Sequence, residues 1–358
     1  MEHEVVGKLK ARLAAFKHRH PARGLKVIAV AGPSGKTTTA LLLTELLRES
    51  GSSVMTLTDH GCFLNGQKLP LTYDVTPDDT QRSLTLARQK DADYVVLELT
   101  EALVESHVLP TMPLEMSIIT GASPLADALL NQPVNYTVVP SGLDLGGLSV
   151  APHQAISFGH DVTAEAQVVR SKLLRRGTEV ELVVDHQTTF NLATHLIGKA
   201  NVYNLAAAVS AAYVLAIDMS TLEEGAARLE RVVGNYDYLE TSQPYDVVVD
   251  GACDDTSLEL VLSSAATLKK RRLLVALDAS VHSEDRLALK RHCDRLVMVG
   301  NFEQAPGIDT AETPEAAFEL VARGAKKDDL VLLVGKQYAA RESDNTTRAH
   351  RMSEPTGE

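Results

Sequence analysis

The sequence predicts an α/β protein in two parts, a P-loop doubly wound domain followed by a smaller Rossmann-like α/β domain. Two observations carry this expectation. Apolar, β-rich runs alternate with helical stretches at both ends of the chain, the pattern of parallel sheets covered by helices. A glycine loop ending in lysine and two threonines joins the first such run to the first such helix.

The elements follow in chain order. Residues 1–24 read as an N-terminal helical segment. Val5, Leu9, Leu13 and Phe16 form a helical apolar stripe, amid Lys8, Lys10, Arg12, Lys17, Arg19 and Arg23. The stripe predicts a surface helix packed on the first domain, with a partner-binding arm as the other reading. Residues 25–232 form the central domain, with strands at 27–31, 54–58, 94–98 and 116–120 and helices between the first three. From 134 to 192 the runs shorten, as in Tyr136–Val139 and Val180–Val184, and Gly and Pro separate them. An alanine-rich helix is expected at 201–216, and another starting at Ser220, where Glu223 three residues on suggests a capping box. A new strand–helix series opens near 246: a strand at Val247–Val249, a helix at Leu258–Leu268, strands at Leu273–Leu277 and Leu296–Val299, a helix at 314–323 and a strand at Leu330–Val334. This defines a C-terminal domain over 233–340. Residues 341–358 are polar without apolar period, which predicts a disordered tail.

Composition excludes several function classes. At 358 residues the chain has room for about two domains with real cores. A hydrophobic content of 44% is ordinary for a globular protein, and no apolar run approaches the roughly 18 residues of a membrane span. Charged residues interrupt the N-terminus, so it shows no signal-peptide core. Cys62, Cys253 and Cys293 make neither a disulfide set nor a zinc pattern, which points to a reducing cytoplasm. A net charge of −12 argues against nucleic-acid binding.

The chemistry is concentrated in Gly32-Pro33-Ser34-Gly35-Lys36-Thr37-Thr38. Glycines let the backbone approach phosphates, and unpaired N–H groups at a helix start point at them. Lys36 can reach the β and γ oxygens of ATP, and the Thr37 hydroxyl can ligate Mg²⁺. Val30 stands where the strict motif has its first glycine. A tight βα turn with an exposed lysine is the plainer alternative. Glu98 ends an apolar strand at the carboxyl edge of the sheet, where a metal ligand would sit, or else is a solvated strand-end glutamate. Asn201 and Asn204 could cap the alanine-rich helix; since one asparagine suffices, the second favours adenine contact. Asp250 could bond a ribose hydroxyl or cap the helix that contains Ser257. His107, His153, His160 and His282 lack metal-ligand spacing and read as surface or structural.

Four stretches in order resemble the Mur ligases, the ATP-dependent enzymes that add amino acids to the peptidoglycan precursor. They are the loop Gly32–Thr38; Gly198–Ala208, similar to the family's G-x-x-N-x-x-N-x-x-A-A adenine segment; Val247-Val248-Val249-Asp250; and Asp328–Lys336, similar to the late D-x-V-L-x-x-G-K-G segment. Tyr73-Asp74-Val75-Thr76-Pro77 and Ser157-Phe158-Gly159 look like the branch that adds the third residue to UDP-N-acetylmuramoyl-dipeptide. The resemblance covers residues 25–340. It implies ATP and Mg²⁺ as cofactors. Lys36 and Glu98 would be catalytic, and Thr37 and Glu98 would hold the metal. Gly32, Ser34, Gly35, Lys36, Thr37, Thr38, Asn201, Asn204 and Asp250 would contact the nucleotide. Asp278, His282, Asp285 and Arg286 are further candidates for holding an incoming amino acid.

The departures from the family bear on activity. Only about two dozen residues precede the first strand, in place of the domain that holds the uridine nucleotide. The arginine that reaches ATP across the cleft is replaced by Asn235. The histidine of E-x-S-S-H is replaced by Ala102, and D-H-L-D becomes Ser123-Pro124-Leu125-Ala126-Asp127. No lysine lies between Thr111 and His160, so the carbamylated lysine that holds the second metal has no counterpart, and Gly300-Asn301-Phe302-Glu303 lacks the arginine of D-N-P-R. The expectation is an ATP-binding relative with a reduced catalytic site. Its partners would be ATP, a cell-wall precursor or amino acid, and a protein that supplies the missing substrate-binding domain. The alternatives are a non-ligating regulatory or assembly subunit and a polyglutamate-synthetase-like ligase.

Overall fold

A computed structural model describes residues 2–71, 75–143, 155–239, 242–281, 286–300 and 306–340. Contacts divide the chain into two compact units. One comprises residues 1–172, 179–194 and 201–229, and the other 173–178, 195–200 and 230–358. The tail expected to be disordered, 341–358, lies outside the described residues, as do Tyr73 and Asp74.

The first unit is built on one 11-stranded sheet. Its strands are β1 (Lys26–Ala31), β2 (Val54–Thr58), β3 (Gly61–Leu64), β4 (Gln67–Lys68), β5 (Tyr94–Glu98), β6 (Leu114–Ile119), β7 (Val134–Pro140), β8 (Ala155–Gly159), β9 (Ala166–Leu174), β10 (Gly177–Val184) and β11 (Thr188–Thr194). They lie in the order β11-β10-β9-β8-β7-β6-β1-β5-β2-β3-β4. Strands β2, β5, β1, β6, β7, β8 and β9 run parallel along this order, and β3 and β4 fold back as antiparallel edges. The short runs after residue 134 therefore extend the same sheet. Strand β1 stands between β5 and β6, where the winding reverses direction, and in such sheets ligands sit beyond the strand ends at that reversal.

Strands buried on both faces read as near-continuous apolar runs, as β1 and β5 do, while in β2 the buried Thr56 hydroxyl is satisfied by that of Thr44. Their helical cover includes α1 (Glu2–Lys17), α2 (Lys36–Glu49), α3 (Pro77–Gln89), α4 (Glu101–Glu105), α5 (Pro124–Leu130), α6 (Lys199–Val214) and α7 (Met219–Ala226). Two expectations are corrected here. Helix α1 packs through Ala11, Ala14 and Ala15, whereas Val5, Leu9, Leu13 and Phe16 are 56–74% exposed. Helix α7 is capped by Asp218, whose carboxylate accepts from the Thr221 N–H; Ser220 donates to that carboxylate, and Glu223 accepts from the Asn191 N–H instead.

The second unit carries a six-stranded sheet. Its strands β12 (Asp237–Leu239), β13 (Asp246–Asp250), β14 (Leu273–Leu277), β15 (Arg295–Val299), β16 (Ile308–Ala311) and β17 (Leu330–Val334) lie in the order β12-β13-β17-β14-β15-β16, parallel but for β12. Helices α8 (Asp255–Leu268), α9 (Arg286–His292) and α10 (Pro314–Ala322) complete it. Side chains alternate between two cores: Val248, Val275 and Leu332 enter one, and Val249, Leu274 and Val331 the other. At the base, fully buried Asp329 accepts from the guanidinium groups of Arg271 and Arg272, which hold its carboxyl below the usual carboxylate range and fix the starts of β14 and β17 together.

Candidate functional site

Strand β1 ends in Ala31, and the chain reaches α2 through Gly32–Gly35. Gly35 is the N-cap of α2 with φ 76°, a left-handed conformation that side chains resist. No side chain caps α2, so its first N–H groups face the loop. A methyl group on Gly35 would stand 2.1 Å from the Asn204 amide oxygen, and one on Gly32, with φ 146°, 2.1 Å from the Thr120 hydroxyl. Both loop glycines are thus required by close neighbours as well as by backbone angle.

Three contacts shape the loop. The Lys36 ammonium curls back to donate to the Gly32 carbonyl at 3.2 Å. The Thr120 hydroxyl donates to the Ser34 carbonyl at 2.6 Å, and Gly121 lies against Pro33. Asn204, on the first turns of α6, faces Gly35 while its amide donates to Asn201 at 3.0 Å. Asn201 and Asn204 are 1% and 5% exposed, so this pair is a buried brace at the end of the loop. Thr38 is buried beneath the first turn, and Ser34 is exposed.

Thr37 and Glu98 meet directly: the hydroxyl donates to the carboxylate at 2.9 Å. Register explains the encounter, because Glu98 ends β5 opposite Val30 of β1, one strand over from the loop. Glu98 is 4% exposed. Burial and the like charge of Asp59, the residue after β2, push its carboxyl up to about 7. The Thr37 hydroxyl, Lys36 and the Asp59 N–H pull the other way. A carboxylate removed from water beside a second carboxylate is unfavourable unless a cation joins them. The donor set of a hydroxyl and two carboxylates is hard oxygen throughout, which fits Mg²⁺. Among the described residues no cluster of three or more His, Cys, Asp or Glu forms a metal cage, so an ion here would take its remaining ligands from phosphate and water.

Sequence reasoning missed Asp59 and Thr120. Each follows the carboxyl end of a parallel strand, β2 and β6, and that position was the available signal.

Asp250 belongs to the second unit. It ends β13, is 6% exposed, and accepts from the Tyr236 and Ala252 N–H groups at 2.9 and 2.8 Å. Burial pushes its carboxyl up to about 7 against those two bonds. Helix α8 is capped by Asp254, so the capping alternative for Asp250 is corrected. Asp278, a candidate for an incoming amino acid, is instead consumed by the fold. It accepts from Ser280, Gln337 and Tyr338, and a methyl group on Gly335 would lie 2.2 Å from it. The late Gly335-Lys336 pair is therefore the turn that Asp278 caps. His153, His282, Asp285 and Asn301-Phe302-Glu303 lie outside the described residues. Asn235 lines a cleft of about 820 Å³ in this unit together with Arg175, Arg231, His195 and Tyr236. Two of its guanidinium groups are already paired, Arg175 with Asp246 and Arg231 with Asp237.

Residues 30–124 match the model of the Mur ligase middle domain. The UDP-N-acetylmuramoyl-L-alanyl-D-glutamate–2,6-diaminopimelate ligase of Halalkalibacterium halodurans is 23% identical over 92% of this chain and 72% of its own length. The enzyme of the same name from Syntrophomonas wolfei is 24% identical, over 74% of this chain and 58% of its own length. Among solved structures, the UDP-N-acetylmuramoylalanyl-D-glutamyl-2,6-diaminopimelate–D-alanyl-D-alanyl ligase of Acinetobacter baumannii superposes with a TM-score of 0.72 at 18% identity, covering 96% of this chain and 80% of that one. Folylpolyglutamate synthase of Mycobacterium tuberculosis, in complex with ADP and AMPPCP, gives 0.76 at 14% identity, covering 95% of each. The resemblance to the Mur ligases, and to their third-residue-adding branch, extends over most of the chain.

Proposed function

We propose that this relative of the Mur ligases is an ATP-dependent amide ligase of peptidoglycan-precursor chemistry with a reduced catalytic site, acting in the cytoplasm. The observation that carries the reading is the Thr37–Glu98 pair beneath a lysine-bearing loop, at the point where the sheet reverses its winding. Triphosphate oxygens would lie on the N–H groups at the start of α2, with Lys36 at the β and γ positions. Thr37 and Glu98, with Asp59 beside them, would hold Mg²⁺, which neutralises phosphate charge when bound. Asn201 and Asn204 would set the adenosine end. Residues 25–232 would serve the nucleotide and 233–340 the incoming amino acid.

The ligation itself is a two-step exchange. A substrate carboxylate takes the γ-phosphoryl group, releasing ADP; an amine then attacks the acyl phosphate, forming the amide and releasing phosphate. Both reacting partners are anionic, so each missing cation weighs on this step more than on ATP binding. Ala102, Asn235 and the lysine-free stretch 112–159 remove such groups relative to the family, and loss of one transition-state cation costs about 10³-fold or more. Those departures also favour a second reading, a nucleotide-binding subunit that does not ligate. The fold likeness to folylpolyglutamate synthase over 95% of both chains keeps a polyglutamate-type acceptor among the substrates to try.

The test is release of ADP and phosphate by the purified chain across a panel of amino acids, muropeptides and folates. We expect no measurable ligation with UDP-N-acetylmuramoyl-dipeptide, and no rescue by Asn235→Arg alone. Turnover with another acceptor supports the ligase. ATP binding without turnover on any acceptor supports the subunit. Robust turnover of the dipeptide contradicts the reduced site.

A further inference from the structure

Helix α1 sorts its apolar side chains by size. Its small side chains face the protein: Ala11, Ala14 and Ala15 are at most 8% exposed, and Gly7 abuts His107 so closely that a Cβ would lie 2.4 Å from the imidazole. Its large apolar side chains face outward. Val5, Val6, Leu9, Leu13 and Phe16 are 65%, 48%, 56%, 58% and 74% exposed. At 3.6 residues per turn these five fall on one stripe about 100° wide, opposite the alanines. Among the described residues, five of the nine exposed large hydrophobic side chains are on this helix. Singly exposed apolar residues are ordinary; five in one ridge are not.

The ridge is bordered by positive charge on both sides. The same helical geometry puts Lys8 and Arg12 along one flank and Lys10 and Lys17 along the other. Lys8 is tied to Glu4 and Lys17 to Asp78, while no ion pair is formed by Lys10 or Arg12 among the described residues. A 16-residue helix is about 24 Å long and about 10 Å across, a footprint of roughly 240 Å². A stable pair of copies needs about 800 Å² on each. Pairing two such ridges would also set lysine flank against lysine flank. The ridge therefore suits a surface that is apolar beneath and anionic at the rim.

We propose that α1 is an interfacial anchor, lying in the headgroup boundary of an anionic phospholipid bilayer with its five apolar side chains inserted and its lysine and arginine flanks on the lipid phosphates. Among the described residues no helix is long and apolar enough to cross a membrane, so the contact is peripheral. The net charge of −12 does not oppose it, because charges beyond about 10 Å are screened while the α1 flanks lie at the surface.

The experiment is flotation of the full chain with vesicles of pure phosphatidylcholine and with vesicles in which about one lipid in three is phosphatidylglycerol. Binding is expected only to the second kind and should fall with added salt. Each basic residue near such a surface contributes about fivefold in partition, so Lys10→Gln with Arg12→Gln should cut binding about 25-fold. Leu9→Ser, Leu13→Ser and Phe16→Ser together should cut it about 1,000-fold, at roughly tenfold per buried side chain. Both variants keep the alanine face, so their melting temperatures and ATP affinity should match wild type, which separates this test from that of the proposed ligase. Equal or absent binding to the two vesicle types overturns the proposal. So does a concentration-dependent dimer abolished by the serine variant, which would assign the ridge to a second copy. Retention on an acidic protein column with no vesicle binding would assign it to a protein partner, and overturns it equally.

Discussion

Glu98→Gln separates the metal-site reading from a purely structural role for this carboxylate. The native group is held against its own preference, since burial and Asp59 raise its carboxyl from 4.5 to about 7. A carboxylate raised on folding gives a penalty that is absent below its unfolded value. The penalty grows as pH climbs through the folded value and is complete above it. The gap of about 2.5 units, at 1.36 kcal/mol each, amounts to roughly 3 kcal/mol above pH 7. Glutamine keeps the acceptor for Thr37 and removes the charge. In metal-free buffer at pH 8 the variant should therefore be more stable than wild type by up to about 3 kcal/mol, and at pH 4.5 the two should coincide. Urea titrations followed by far-UV circular dichroism measure this; the chain has no tryptophan to report otherwise. The fit requires separate transitions for the two units. Adding Mg²⁺ with ATP should stabilise wild type and not the variant. A variant less stable than wild type at pH 8, or a stability gap independent of pH, would refute the reasoning.

Other substitutions probe the loop and the second unit. Gly35→Ala sets a methyl group 2.1 Å from Asn204 at φ 76°, so it should cost about 2–3 kcal/mol and abolish nucleotide binding. The double variant with Asn204→Ala should recover part of the stability and leave about 1 kcal/mol for the backbone angle, which thermal melts will show. Gly335→Ala drives a methyl group into Asp278 and should unfold the second unit at lower denaturant while the transition of the first is unchanged. Lys36→Ala should leave both transitions in place, because among the described residues the ammonium's one hydrogen bond goes to the Gly32 carbonyl.

Much of the site was legible because its chemistry is local in sequence. A strand, a glycine loop, a lysine and a helix occupy adjacent positions, and Glu98 declares itself by ending an apolar run. What escaped depends on partners distant in the chain. Asp59 matters through its charge on Glu98, and Thr120 through one carbonyl of the loop. Asn201 and Asn204 read as a cap with an adenine contact, and sequence does not show that Asn204 also stands against Gly35. Periodicity also misassigned α1. It locates an apolar stripe but not its orientation, and here alanines on the opposite face admit close approach to the protein. Asp278, which follows β14, is offered for an incoming amino acid on the family resemblance, and its place after a strand does not reveal that the Gln337 and Tyr338 N–H groups take the same oxygens.

The central claim, that Gly32–Thr38 and Glu98 form a Mg-ATP site, is tested most directly by titrating Mg-ATP into wild type and Lys36→Ala in a calorimeter. The account predicts saturable heat with wild type. The variant should bind about 10- to 100-fold more weakly at an unchanged melting temperature, the measure of one charge-assisted contact to phosphate. No heat with wild type, or equal affinity in the two proteins, would contradict it.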